Sequence, residues 1–194
     1  YETDKIIFDG ELITYKPYVY IMLNKPAGYV SATKDNVHPT VVDLIYGYEQ
    51  YDLFPVGRLD LDTEGLLLLT NDGDFVYKVT HPKHEITKTY TVTVKGIIKN
   101  EEVEQLRKGV KIDDYTTRPA KVKILKTDEE KDISRLEITI HEGKNRQVRR
   151  MCESVGRRVI ALHRSKIGNI GVKDIELGKW RYLKDFEVKT LIGK

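Results

Sequence analysis

The chain has one cysteine, Cys152, so it holds no internal disulfide and cannot build a cysteine-ligated metal centre. A reducing, cytoplasmic setting is expected from that. Long apolar runs are missing too. An aliphatic stretch such as Leu66 to Leu69 is far too short to span a bilayer, and no secretory leader pattern opens the sequence. Because the first residue is Tyr1 rather than a methionine, a preceding segment is expected. There is no internal repeat and no low-complexity tract. Also absent are a Gly-rich phosphate loop, a Gly-x-Ser-x-Gly elbow and a Cys/His pair, so redox, nucleotide-hydrolysing and acyl-transfer chemistries lack their parts. His81 and His84 have metal-like spacing, but no further ligands stand near them in sequence, and a solvated loop is the expected reading.

What is present is uneven charge. The net charge is only +3, yet residues 140–166 hold eight Lys/Arg against two acids, Glu142 and Glu153. That segment carries +6 and leaves −3 for the rest. A local basic field on a near-neutral body suits a phosphate-binding face, and equally a solvated helix surface.

Apolar patterning predicts many strands and few helices. Val19, Ile21 and Leu23 alternate inward until the Asn24-Lys25-Pro26-Ala27-Gly28 turn. Pro39 opens a short helix through Val42 and Ile45. Leu66 to Thr70, bounded by Gly65 and Asn71-Asp72-Gly73, reads as a buried strand. Glu85 to Lys95 alternates strictly, with Tyr90, Val92 and Val94 on one face and threonines on the other. A helix runs from Asn100 to Gly109, strands cover Ala120–Leu125 and Leu136–Ile140, and Val148, Met151 and Val155 form a helical core stripe. Val159 to His163 is a further strand. The expected fold is α+β, a mixed and largely antiparallel sheet with a few flanking helices.

Two segments could carry chemistry. Gly57-Arg58-Leu59-Asp60-Leu61-Asp62-Thr63-Glu64-Gly65 packs charge and turn formers at the mouth of the Leu66 strand, where a stiff support could hold a reactive side chain. The same residues could also be a surface turn in which Asp62 caps backbone amides. In Glu142-Gly143-Lys144-Asn145-Arg146-Gln147-Val148-Arg149-Arg150-Met151, three arginines flank the apolar stripe. One that is buried would need a carboxylate partner.

Residues Gly57 to Gly73 strongly resemble a motif of the RsuA-type ribosomal RNA pseudouridine synthases. Lys25-Pro26-Ala27-Gly28-Tyr29, Lys88-Thr89-Tyr90 and Glu142 to Met151 resemble further motifs of that family, in the same order, over about Tyr18 to Leu183. The resemblance implies that Asp60 is the catalytic group and starts cleavage of the glycosidic bond, either by adding to the base or by acting at the sugar. The freed uracil then rotates and rejoins ribose through C5. It implies that Arg149 pairs with Asp60, that Tyr90 stacks on the uracil, and that Arg58 enters the space a flipped nucleotide vacates. Lys25 and Gly28 read as scaffold. Lys144, Arg146, Arg150, Arg157 and Arg158 are expected to contact RNA. The active-site cleft should cross the sheet, and no cofactor and no metal are implied.

The expected partner is ribosomal RNA, with no membrane and no obligate protein partner. His38-Pro39-Thr40-Val41, Asp60-Leu61-Asp62-Thr63 and Arg118-Pro119-Ala120 resemble the small-subunit (16S) branch. Residues 17–194 form the expected catalytic domain, and residues 1–16 a linker after a small N-terminal RNA-binding module found in family members. Two rival readings are the same chemistry on large-subunit (23S) RNA and a catalytically dead RNA-binding protein.

Overall fold

The computed structural model describes residues 17–193, and ahead of them the backbone of two short strands. These, β1 (Asp4–Phe8) and β2 (Glu11–Tyr15), pair antiparallel. The rest of the linker expected over residues 1–16 lies outside the described residues.

The main sheet is built on β3 (Tyr20–Lys25) and β5 (Glu64–Thr70), which pair antiparallel. Short β4 (Phe54–Val56) adds to β5, and β13 (Trp180–Tyr182) adds to β3. The other half comprises β6 (Lys88–Lys95), β9 (Lys121–Asp128), β10 (Ile133–Ile140) and β11 (Val159–Ile167). Its order runs β13-β3-β5-β11-β6-β10-β9, with β12 (Ile170–Gly171) hairpinned onto β11. Every pairing is antiparallel except β5 with β11, which join in parallel over only two residue pairs. The expected α+β class with a mixed, largely antiparallel sheet is what forms.

Among the described residues four α-helices flank this sheet: α1 (Gly73–Thr80), α2 (Asn100–Lys108), α3 (Gln147–Ser154) and α4 (Asp185–Leu191). A two-residue hairpin, β7 (Lys111–Ile112) with β8 (Tyr115–Thr116), follows α2. The expected α2 is capped one residue earlier, at Lys99. Helix α1 was not expected, since Asn71-Asp72-Gly73 reads as a turn. Its signal is the Asp72 carboxylate, which accepts from the amides of Asp74 and Phe75, followed by Phe75 and Val79 one turn apart and both buried.

Strand β5 explains its own composition. Leu66 and Leu68 pack with Phe75, Val79 and Leu191 on one face of the sheet, while Leu67 and Leu69 pack with Val41, Ile45 and Leu59 on the other. A strand covered on both sides has no reason to alternate, so four leucines run on, each fully buried. Full burial of each contributes roughly 1.5–3 kcal/mol. A third cluster lies over the other half of the sheet, where Val103 and Leu106 of α2 and Val148 and Met151 of α3 meet Val92, Leu136 and Ile138.

Gly65 is where the two halves touch. Its φ is +121°, and a Cβ there would stand 2.3 Å from the carbonyl oxygen of Arg164 and 2.4 Å from its nitrogen. Nothing but glycine fits that approach. We expect Gly65→Ala to destabilise the protein by roughly 3 kcal/mol or more. Gly73→Ala, at the open first turn of α1, should be neutral or slightly stabilising. Thermal melts of the two variants check this, and equal melting temperatures would refute the close-packing account.

Candidate active site

The loop from Gly57 to Thr63, between β4 and β5, is fixed from behind by the segment following β3. The Ser31 hydroxyl donates to the carbonyl of Leu59 at 2.8 Å and accepts from its amide at 3.0 Å. The Gly28 amide donates to the Leu61 carbonyl at 2.9 Å, and the Thr63 amide closes a turn on the Asp60 carbonyl. Leu59 drops into the core while Asp60 turns outward, its side chain 37% exposed. The alternation expected of an extended stretch therefore holds at these two positions.

Lys25 completes the support. It is 0% exposed, and its ammonium donates to the carbonyls of Pro26 (3.0 Å), Asp60 (3.1 Å) and Thr63 (2.8 Å). Burial lowers its pKa to about 8, opposed by the nearby carboxylates of Glu64, Asp60 and Asp62. The residue read as scaffold is thus a buried cation that ties down the backbone on which Asp60 stands.

Facing the loop is the start of α3. Arg146 adopts a left-handed conformation, φ 51°, as the residue preceding the helix. Its guanidinium binds Asp62 in two bonds, at 3.0 and 2.9 Å, and reaches Asp60 Oδ2 at 3.3 Å. The Arg146 bond holds the Asp62 carboxyl below its ordinary range. The expected pairing of Arg149 with Asp60 is corrected by this geometry. Arg149 lies in the first turn of α3, its side chain 11% exposed, and its Nη2 donates to the backbone carbonyl of Asp62 at 2.9 Å. Its nearest carboxylate is Asp62, at 3.6 Å, and its Nε is buried without a hydrogen bond. The helix start projects Arg146 over the cleft, whereas Arg149 grips the loop backbone.

Between loop and helix lies a cavity of about 560 Å³, a size that suits a nucleotide. It crosses the sheet, as expected, with Asp60 and Arg58 at its mouth and Tyr90 of β6 on its wall. Glu142 braces the far rim. Burial opposes its charge, but bonds from the Tyr115 hydroxyl, the Arg118 amide and the Gln147 side chain hold its pKa below the usual value. Lys144 stands over the Tyr115 ring at 4.5 Å, exposed.

The remaining arginines divide. Arg150 pairs with Asp113 and with the Asn145 carbonyl. Arg157, expected on the RNA face, is mostly buried: it binds Glu102 at 2.8 Å and the Ile97 carbonyl at 2.9 Å. It holds α2 to the sheet because a desolvated guanidinium needs that carboxylate. Arg158 is exposed and makes no ion pair among the described residues. Sequence reasoning missed Lys88 and Arg164, which line the cavity. Their signal was alternation, Lys88 with Tyr90 and Leu162 with Arg164 falling on shared faces. His81 and His84 lie near Tyr77 on the surface, and among the described residues no cluster of three ligating side chains could hold a metal.

A family model described as RNA pseudouridylate synthase matches residues 19–154, the stretch holding Lys25, the Asp60 loop, Tyr90 and the start of α3. The chain belongs to that family. Ribosomal large subunit pseudouridine synthase B of Bacillus subtilis (strain 168) is 43% identical over 97% of this chain and 78% of its own length. Ribosomal small subunit pseudouridine synthase A of Escherichia coli (strain K12) is 38% identical over 89% of this chain and 74% of its own. A solved pseudouridylate synthase structure superposes with a TM-score of 0.82 at 36% identity, covering 96% of this chain and 80% of that one. This pseudouridine synthase is of the RsuA type, as its motifs implied.

Two predictions follow from the support of the loop and from the arginines. Lys25→Met should leave three carbonyls unpaired, at about 1–3 kcal/mol each, and slow turnover far more than RNA binding. The lowered Lys25 pKa means that the unfolded chain keeps its proton between about pH 8 and 10.5 while the folded one releases it. Wild-type stability should therefore gain from Lys25 as pH rises through that window, a gain the methionine variant lacks. Denaturant unfolding against pH measures both. Separately, Arg157→Ala should reduce stability by roughly 1–3 kcal/mol with the salt dependence of RNA affinity unchanged. Arg158→Ala should do the reverse, removing about 0.7–0.9 from the slope of log affinity on log salt.

Proposed function

We propose that this enzyme converts one uridine of ribosomal RNA to pseudouridine, with Asp60 as the reacting group and small-subunit (16S) RNA as substrate. The observation that carries the reading is the placement of Asp60. Its carboxylate stands at the mouth of a nucleotide-sized cavity, on a loop whose backbone Lys25, Ser31 and Gly28 hold fixed. A rigid carboxylate against a captured base is the positioning this chemistry requires. The reaction is balanced without a co-reactant: the N1–C1′ bond breaks, the uracil turns, C5 joins C1′, and the C5 proton leaves as N1 gains one.

The other residues take roles by position. Tyr90 offers its ring on the cavity wall for stacking on the uracil. Arg146 meets Asp60 directly, and Arg149 acts through the loop it binds. Arg58, exposed and on the cavity lining, is assigned to the space left in the RNA. Lys144 and Arg158, both exposed, are the RNA contacts that best keep that role. Arg150 contacts RNA only if its pairing with Asp113 gives way.

The small-subunit assignment is supported by the motifs at His38 to Val41, Asp60 to Thr63 and Arg118 to Ala120. A second reading, large-subunit RNA, has behind it the 43% identity to the Bacillus subtilis enzyme named for that subunit. A test of both parts uses single-turnover conversion and pseudouridine mapping. Asp60→Asn should fold and bind RNA as the wild type does yet form no pseudouridine. Deleting the gene should erase one pseudouridine from small-subunit RNA. Conversion by the asparagine variant would end the claim for Asp60, and loss from large-subunit RNA would select the second reading.

A further inference from the structure

Two cations on the cavity lining have no counter-charge. Arg164, on β11 beside Gly65, is only 4% exposed. Its Nε donates to the Leu66 carbonyl at 2.9 Å, and its side chain makes no other hydrogen bond and no ion pair among the described residues. Lys88, on β6, also lines the cleft, with its ammonium against Gly143, where a Cβ would stand 3.3 Å from Nζ. It too has no carboxylate partner among the described residues. Burial first, and then the Arg164 charge, hold the Lys88 pKa below its ordinary value, so both influences on this ammonium are adverse.

Asp60, the acid on the cavity lining, and the neighbouring Asp62 and Glu142 are engaged elsewhere. Asp60 and Asp62 face Arg146, and Glu142 faces Tyr115, Arg118 and Gln147. Bracing β5 against β11 would need only the single Nε contact, and would not explain a second unpaired cation beside it. Unpaired buried charge is costly and is kept where a ligand of opposite charge completes it.

We infer that Arg164 and Lys88 form an anion subsite that takes a backbone phosphate flanking the uridine captured over Asp60. The inference rests on the proposed RNA reaction and adds to it the place of the phosphate. In the sheet register Tyr90 lies opposite Arg164 and two residues along the strand from Lys88. The ring that stacks the base thus neighbours both cations, which fits base and phosphate of one nucleotide. A guanidinium edge and a point charge together match the oxygens of a phosphodiester. Binding there would draw the flipped nucleotide to the depth at which its glycosidic bond meets Asp60.

The test uses the intact chain and two kinds of probe. Inorganic phosphate titrated into the wild type should shift the Arg164 Nε–Hε resonance saturably, with Arg164→Lys used to assign the signal. Lys88→Gln should keep the wild-type melting temperature yet weaken phosphate binding roughly tenfold, as expected for one charge-assisted contact. Uridine 3′- and 5′-monophosphates should compete with RNA better than uridine does, and Lys88→Gln should narrow that difference. If phosphate moves only exposed arginines, or if Lys88→Gln binds it as the wild type does, the subsite is overturned. Phosphate binding involves no isomerisation, so it is read independently of the reaction. An enzyme inert on RNA with the Arg164 shift intact would sink the proposed reaction and leave the subsite standing.

Discussion

A single ammonium inside the protein does much to decide where the Asp60 carboxylate sits. Lys25 ends β3, and its side chain passes under the next loop to meet the carbonyls of Asp60 and Thr63. A buried cation with three carbonyl acceptors tolerates little displacement, because each bond it loses leaves both a charge and a carbonyl unsatisfied. The loop therefore inherits the rigidity of β3, a strand paired on both sides. Asp60 can then be half exposed and still fixed, which a loop held only by its own turns would not achieve.

That arrangement depends in turn on the crowded centre of the sheet. Strand β5 is buried on both faces, and Gly65 lets β11 approach it within the distance a Cβ would occupy. Their parallel contact is short, so the two halves of the sheet part on either side of it. The cleft opens there. Residues from both halves, Asp60 and Thr63 from one and Tyr90, Leu162 and Arg164 from the other, line one cavity.

Much of this was legible in the sequence where one principle acted alone. The run of leucines in β5 and the alternation in β6 report burial directly, and the fold class followed from them. Helix α1 was hidden because Asp72 and Gly73 serve a helix start as well as they serve a turn. The Asp60 loop was visible through its charge and glycines, and its identity through the family resemblance. Its partner was not. Arg146 and Arg149 are one turn apart, and which one reaches Asp60 depends on a left-handed residue at the start of α3 that composition does not reveal. Arg157 was misplaced on the RNA face for a related reason, since net charge counts a cation without seeing Glu102 beside it.

The corrected pairings separate the cationic side chains around the cleft by what they face. Arg146 and Arg149 are answered by the Asp60–Asp62 loop, so their positive charge is locally cancelled and their contribution is geometric. Lys144 and Arg158 face solvent, where an RNA phosphate would be screened and its contribution would fall with salt. Arg164 is buried and Lys88 half-buried on the cavity lining, where screening is weaker and a phosphate would be held more strongly than at the exposed side chains. At the other side of the cavity Arg146 spans Asp60 and Asp62 and holds the Asp60 carboxylate in place. The +6 segment of the sequence is thus misleading as a count. Four of its eight cations, Arg146, Arg149, Arg150 and Arg157, are already paired with acids. Lys88, one of the two cations assigned to the phosphate, lies outside that segment altogether.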